Sequence, residues 1–449
     1  MIRVALACLL FSGCAPTLVW HGRGPDRARE LRVEEVGDAQ RLVLDGEVLG
    51  RWEAVGLEAL AWTASGEPVY AVRDESGWRV GVGRALGPAY EAVGVPAVAG
   101  DRVAYPALDE EGWRVVDGGD AGPVFRSILA GTITLASEGR RLAYVGRDGG
   151  GARAVVDGRV GPAFDDVLGL EFGAKGALVV YAGFDAEGAS LVVDEEVSGR
   201  FDDLRELAAA DDAPTWAAIV DTAEGRAVVH GSRRHAAPRA EGLVIAADGG
   251  AVAWRQGGAL VVDGREAARC PSIERLALVP PANAPVFACR RDDGVRVHGP
   301  GGSTGPRFDS VDGPLTRGAR WGYVGHRRGA GSAVVVDGAL VHRGEWAGAL
   351  QLGADGHAFL ARRGGRRFVI TSGGETRVPR PFVDTLIYDR GHWAVAVADR
   401  PARALRIWVD GRAVAGLDTS EVASALATGR DATDAVRAVV RGELERATE

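Results

Sequence analysis

Residues 301–305 read GGSTG and match Gly-x-Ser-x-Gly, the turn that presents a nucleophilic serine, here Ser303, at a strand-to-helix corner with a histidine and an acid to follow. That chemistry needs a helix after the serine. The surrounding pattern is β on both sides, and in a chain with 65 glycines the match is read as chance. GVGRALG at 81–87 mimics a dinucleotide loop and fails for the same reason, since no helix follows. The histidines show no His-x-x-x-His spacing and the cysteines no Cys-x-x-Cys, so no metal and no cofactor is expected. The pairs Asp165-Asp166, Asp202-Asp203 and Asp292-Asp293 lack the loop spacing of a calcium site, and two of them fall at one repeat position, which reads as a solvated turn. Trp62, Trp113, Trp216 and Trp393 read as core rather than as platforms for sugars. No catalytic residue is assigned, and the chain is expected not to be an enzyme.

One charge pattern survives this pruning. Equivalent loops read DESG (74–77), DEEG (109–112), DAEG (185–188) and TAEG (222–225) early in the chain, then RQGG (255–258), HRRGAG (326–331) and RRGGR (362–366). Arginine offers a planar fork of donors suited to carboxylates and phosphates. Arg327, Arg328, Arg362, Arg363 and Arg366 are therefore the expected ligand-binding residues, for an anionic glycan or lipid headgroup or an acidic protein surface. Ordinary solvated loop charge is the competing reading. A net charge of −8 argues against a nucleic-acid partner, which needs a concentrated positive field.

The elements that must position these loops are set by a repeat. Turns recur at Asp45-Gly46, Val82-Gly83, Asp117-Gly118, Asp157-Gly158, Asp194-Glu195, His230-Gly231, Asp263-Gly264, His298-Gly299, Asp337-Gly338, Ser372-Gly373 and Asp410-Gly411, spaced 33 to 40 residues apart. Val155-Val156, Asp-Gly, then Arg159-Val160 is the type I′ hairpin signal, so the repeats are strands. Each full repeat holds four of them. Pro88, Pro123, Pro162 and Pro306 share a register in the fourth strand, which proline confines to a sheet edge. An aromatic two residues later (Tyr90, Phe125, Phe164, Phe308, and by register Trp52 and Phe201) is expected to plug onto the neighbouring sheet. Four short strands per repeat predict an all-β fold, a β-propeller of about ten four-stranded blades over 31–418, as one large ring or two tandem rings. Ten repeats are complete from about 57 to 418, with half a repeat at 31–56. Residues 14–30 read as a tether. In the tail, 419–449, Val436, Val439, Val440 and Leu444 fall on one face of a short C-terminal helix expected to pack on the repeats.

LASEGRRLAYVGRDGGG (135–151), with the turn Ser137-Glu138-Gly139 and the strand end Ala143-Tyr144, resembles the WD-repeat-like, TolB-type propeller repeats of exported bacterial proteins. That resemblance implies the fold and leaves the function open. The start, MIRVALACLLFSGC, has one basic residue, an apolar run from Val4 to Phe11 and small residues before Cys14. It is similar to a bacterial lipoprotein signal at 1–13, which implies lipidation of Cys14, export, and membrane attachment at the cell envelope. Cys270 and Cys289 then remain, either as a disulfide or as two separate buried thiols. The leading expectation is a non-catalytic envelope lipoprotein serving as a binding or scaffolding module for an unknown envelope protein, glycan or lipid. The alternative is an exported propeller enzyme of lyase or glycosidase type with its site in the central channel.

Overall fold

The computed structural model describes residues 17–23, 29–136, 140–379, 385–399, 404–418, Val440 and Leu444. Cys14, the turn at 137–139 and most of the C-terminal tail lie outside them. Val440 and Leu444 are helical and buried.

Eleven antiparallel sheets follow one another along the chain, each a meander with its strands in chain order. Eight have four strands. The third and fourth have five, because their first strand is broken into two short pieces on one partner. The eighth has three, with isolated bridges Val295↔Phe308 and His298↔Thr304 in place of the fourth. The fold is an all-β propeller, and among the described residues the only helical turns between its strands are the 3-10 turns Ala174–Gly176 and Pro300–Gly302. The chain divides into two compact units, one of Met1–Val124 with Asp418–Ala435 and one of Phe125–Leu417 with Val436–Glu449.

The first sheet is complete, which corrects the expectation of half a repeat behind a tether. Its strands are β1 (Thr17–Arg23), β2 (Glu30–Val36), β3 (Ala39–Leu44) and β4 (Glu47–Trp52). The stretch TLVWHGR carries no turn signal of its own and takes strand form by pairing with β2, so part of 14–30 is structure.

The hairpins form as the Asp-Gly pairs dictate, with φ of 48° and 81° at Asp157 and Gly158 and 51° and 81° at Asp337 and Gly338. At three sites the reversal lies one residue further on, over Gly83-Arg84, Gly118-Gly119 and Gly231-Ser232. Val82 and His230 would pay a steric cost at positive φ and stay in their strands, and beyond Asp117 the pair Gly118-Gly119 takes the positive φ values, 57° and 102°. The turn aspartates have a second role. Asp157 accepts from Leu142 N and Arg141 Nε at 2.9 and 2.8 Å, and Asp337 from Trp321 N and Arg320 Nε at 2.9 Å each. Each thereby clamps the start of its own second strand.

The fourth strand is at the edge of every four-stranded sheet. Where proline is present that edge breaks. Arg159–Val160 ends after two residues, Gly161 N still donates to Ala154 O at 2.9 Å, Pro162 has no N–H to donate, and Phe164 re-pairs with Ala152. Edges without proline, such as Glu196–Phe201 and Ala339–Gly344, run unbroken.

Within each unit the layers between sheets are apolar, and aromatic plugs such as Phe164 and Phe308 sit in them. Phe125, Phe164 and Phe308 are buried against Gly146, Gly183 and Gly325 of the following sheet. A β-carbon at those glycines would stand 2.4–2.5 Å from the ring, so only glycine accepts the contact. Cys270 and Cys289 occupy the positions equivalent to Phe164 and Gly183, and they form a disulfide with Cα atoms 5.7 Å apart. Cys270 N donates to Gly258 O at 2.8 Å, as Phe164 N does to Ala152 O at 2.9 Å. The seventh-to-eighth junction therefore carries a covalent form of the plug.

Candidate functional site

At the next plug register stands Gly344, which supplies no side chain; the register is aromatic in some sheets and holds Ala237, Cys270 and Val378 in others. A cleft of about 850 Å³ opens beside it. Its walls are the loop between the second and third strands of the ninth sheet, residues 327–331, and the connectors that begin the ninth and tenth sheets at Asp309 and Glu345. The loop is pinned at both ends. Arg328 N donates to Asp309 Oδ2 at 2.5 Å, and Gly331, at φ 85°, lies so close to Gly344 O that a β-carbon would sit 2.1 Å from it.

The five expected arginines do not act together. Arg327 lines the cleft, but its Nε donates to Arg307 O at 2.7 Å and its guanidinium covers the Phe308 ring at 5.3 Å. Arg328 also lines it, and its guanidinium has no acidic partner among the described residues. Arg362 reaches the cleft only through Glu345, 3.7 Å away, whose carboxylate also accepts from Gly364 N at 2.9 Å. Arg363 is paired with Glu375 at 2.6 Å and lies over Phe368, and Arg366 is outside the lining. The early acidic loops are likewise neutralised from within. Asp74 pairs with Arg79, Asp109 with Arg114 and Asp221 with Arg226, and Asp74, Asp109 and Asp185 also accept from N–H groups of their own turns. The swing from acidic to basic loops is thus smaller than the sequence suggests.

Sequence reasoning missed a hydrogen-bonded chain in the cleft. His326 Nδ1 lies 2.9 Å from Ser332 Oγ, and Nε2 lies 2.9 Å from Asp312 Oδ2, a bond that holds the Asp312 carboxyl below its usual range. The residue types are those of a nucleophilic triad. The His326–Asp312 contact is also the ninth sheet's form of the bridge between first and second strands made in the eighth by Arg290–Glu274; Arg73–Glu53 and Arg362–Glu345 reach instead to the residue just before the first strand. Donors for an oxyanion are poorly provided, because Arg328 N is given to Asp309 and Ala330 N to Arg327 O. No sequence signal singles the cleft out: the register that holds Gly344 is also without an aromatic at Ala237, Cys270 and Val378.

Ser303 follows a 3-10 turn, its Oγ donates to Pro300 O at 3.4 Å, and His298 meets Thr304 instead, at 3.2 Å. Among the described residues no group of three or more His, Cys, Asp or Glu could hold a metal ion. Trp216 and Trp393 are buried. A second cleft, of about 540 Å³, lies where the first-to-second-strand loops of the fourth, fifth and sixth sheets meet, and contains Glu171, Lys175, Asp211 and Asp212. Glu171 stands in its mouth, yet shielding by the surrounding protein and the charge of Asp211 hold its carboxyl above the usual range, against a hydrogen bond from Ala209 N–H. Lys175 is paired with Asp212 at 3.2 Å.

Four histidines give this unit a pH dependence. Burial first, and neighbouring arginines at His298, His342 and His357, hold these rings and that of His230 below their ordinary value. In the unfolded chain they titrate near ~6.5, so the fold favours the neutral forms; their contribution is complete above that pH and is lost as pH falls through the depressed folded values. The urea midpoint is expected to drop between about pH 7.5 and about pH 5, before carboxylates begin to protonate. A flat profile over that window would contradict this.

No family model matches the chain, and no curated protein matches it. Solved structures with similarity include dihydro-heme d1 dehydrogenase NirN in complex with DHE (15% identity, 61% of this chain and 72% of that one, TM-score 0.30). The β-propeller domain of the Trilobed protease from Pyrococcus furiosus is similar at 11% identity, over 71% and 96% of the two chains, with a TM-score of 0.27. The Dos1 propeller is similar at 9% identity, over 56% and 76%, with a TM-score of 0.25. At these scores none bears on function.

Proposed function

We propose that the chain is a non-catalytic binding or scaffolding module, exported and anchored through an acylated Cys14 in a bacterial envelope, with an anionic glycan of that envelope as the ligand of the cleft at Gly344. The observation that carries the binding site is the Arg328 guanidinium, without an acidic partner among the described residues, in a cleft whose size is ordinary for small ligands and which also offers His326, Ser310 and the Trp346 side chain. The Cys270–Cys289 disulfide supports export, because such bonds persist in oxidising compartments. Immobilised protein is expected to retain acidic glycans from envelope extracts. Replacing Arg327 and Arg328 with Ser should weaken binding about tenfold or more and flatten its salt dependence. The same change at Arg363 and Arg366 should leave binding unaltered. Equal loss from both pairs, or none from either, would remove the cleft as the site, and retention of an acidic protein or lipid instead would change the ligand class. Ser332 is expected to stay unmodified by a fluorophosphonate probe, and labelling there would end the non-catalytic reading. The second reading, an exported enzyme, draws support only from Glu171, and glycan cleavage lost in Glu171→Gln would establish it.

A further inference from the structure

The anchor and the first strand are very close in the chain. Only Ala15 and Pro16 lie between Cys14 and Thr17, where β1 begins, and three Cα-to-Cα steps of ~3.6 Å span at most about 11 Å. An acylated Cys14 has its backbone at the boundary between acyl chains and headgroups, and the headgroup layer on one side of a bilayer is only about 5–8 Å thick. Thr17 is therefore held inside that layer or at its surface.

The strand offers an apolar surface at that place. Leu18 is 51% exposed and Val19 38%, whereas Trp20 turns inward onto the core of the first two sheets. The ladder with β2 pairs Leu18 with Glu34 and Trp20 with Val33, leaving Val19 out of register and displaced from the sheet. The same end holds the β2–β3 turn at Gly37-Asp38, and Asp38 shares a cleft with Arg51, Trp52, Glu53, Asp74 and Glu75. Acids outnumber the arginine there, so attraction to anionic headgroups does not explain a contact, and exposed aliphatic side chains do.

We infer that the end of the first sheet bearing Leu18 and Val19 rests in the bilayer interface, with the two side chains inserted among the headgroups beside the Cys14 acyl chains. This rests on the reading of Cys14 as acylated. The contact is apolar and independent of anionic lipid, and it fixes which end of the first sheet faces the membrane.

In the mature protein Cys14 is a thioether and Cys270–Cys289 is oxidised, so one introduced cysteine is the sole free thiol. Leu18→Cys, Val19→Cys and, at the opposite end of β4, Glu47→Cys are labelled with an environment-sensitive nitrobenzoxadiazole dye. The full-length acylated protein is then placed in phosphatidylcholine vesicles with and without phosphatidylglycerol, doped with doxyl-labelled lipid. The expected result is blue-shifted emission and doxyl quenching at positions 18 and 19, neither at 47, and no dependence on phosphatidylglycerol. Vesicle-bound, acylated protein whose dyes at 18 and 19 are as water-exposed as at 47 overturns the inference alone, as does quenching that appears only with the anionic lipid. Absence of palmitate label from Cys14 overturns the anchor reading and the inference with it.

Discussion

Replacing Cys270 and Cys289 together with Ser is expected to lower stability by about 3 kcal/mol, and replacing them with Phe and Gly to recover most of that loss. The disulfide closes a loop with a sequence separation of 19 residues and sits where both side chains are buried. Serine removes the cross-link and leaves two hydroxyls in an apolar layer, with a gap where a ring would fit. Cys270→Phe with Cys289→Gly reproduces the pair used at Phe164 and Gly183, and the matching backbone bonds to Gly258 O and Ala152 O show that the strands already have the required register. Urea unfolding of the parent and the two double variants under oxidising conditions reads the comparison. If the Phe and Gly variant were no more stable than the Ser variant, the two junctions would not be equivalent.

The plug itself gives the second large effect. Phe164→Ala is expected to cost about 3–5 kcal/mol, since it empties a fully packed site between the fourth and fifth sheets. Gly183→Val is expected to cost about 1–3 kcal/mol for the opposite reason: its β-carbon would stand 2.4 Å from the Phe164 ring. The two changes relieve each other, because valine enters the space the ring vacates. The double variant should therefore be more stable than the sum of the single losses predicts, by an amount read from a double-mutant cycle. Strict additivity would mean that the ring and the glycine do not meet.

The parts of the fold legible in the sequence are those encoded locally. Asp157-Gly158 specifies its own hairpin, Pro162 its own edge, and the recurrence of both gives the repeat. What escaped depends on partners distant in sequence or on a departure from the repeat. β1 has no turn signal and is defined by β2. The clamp by Asp157 is made to a backbone N–H fifteen residues earlier. Arg363 looks like a free cation in RRGGR until Glu375 is seen beside it, and the cleft beside Gly344 is assembled from loops of two successive sheets. The order of Cys270 and Cys289 within their repeats left bond and thiols equally open, and only their apposition across the junction decides it.

The interlock between sheets also bears on how such a chain can change in length. A repeat contains the glycine that receives its predecessor's ring, such as Gly146, and the ring its successor must receive, such as Phe164. An in-frame duplication of that segment copies plug and socket together, and the copy fits between its old neighbours with no compensating substitution. Growth by one repeat at a time is then inherited without a misfit. The cysteine pair is the exception, because Cys270 and Cys289 belong to consecutive repeats. Duplicating either repeat alone leaves an odd thiol, so this junction resists a duplication that the ring-and-glycine junctions accept.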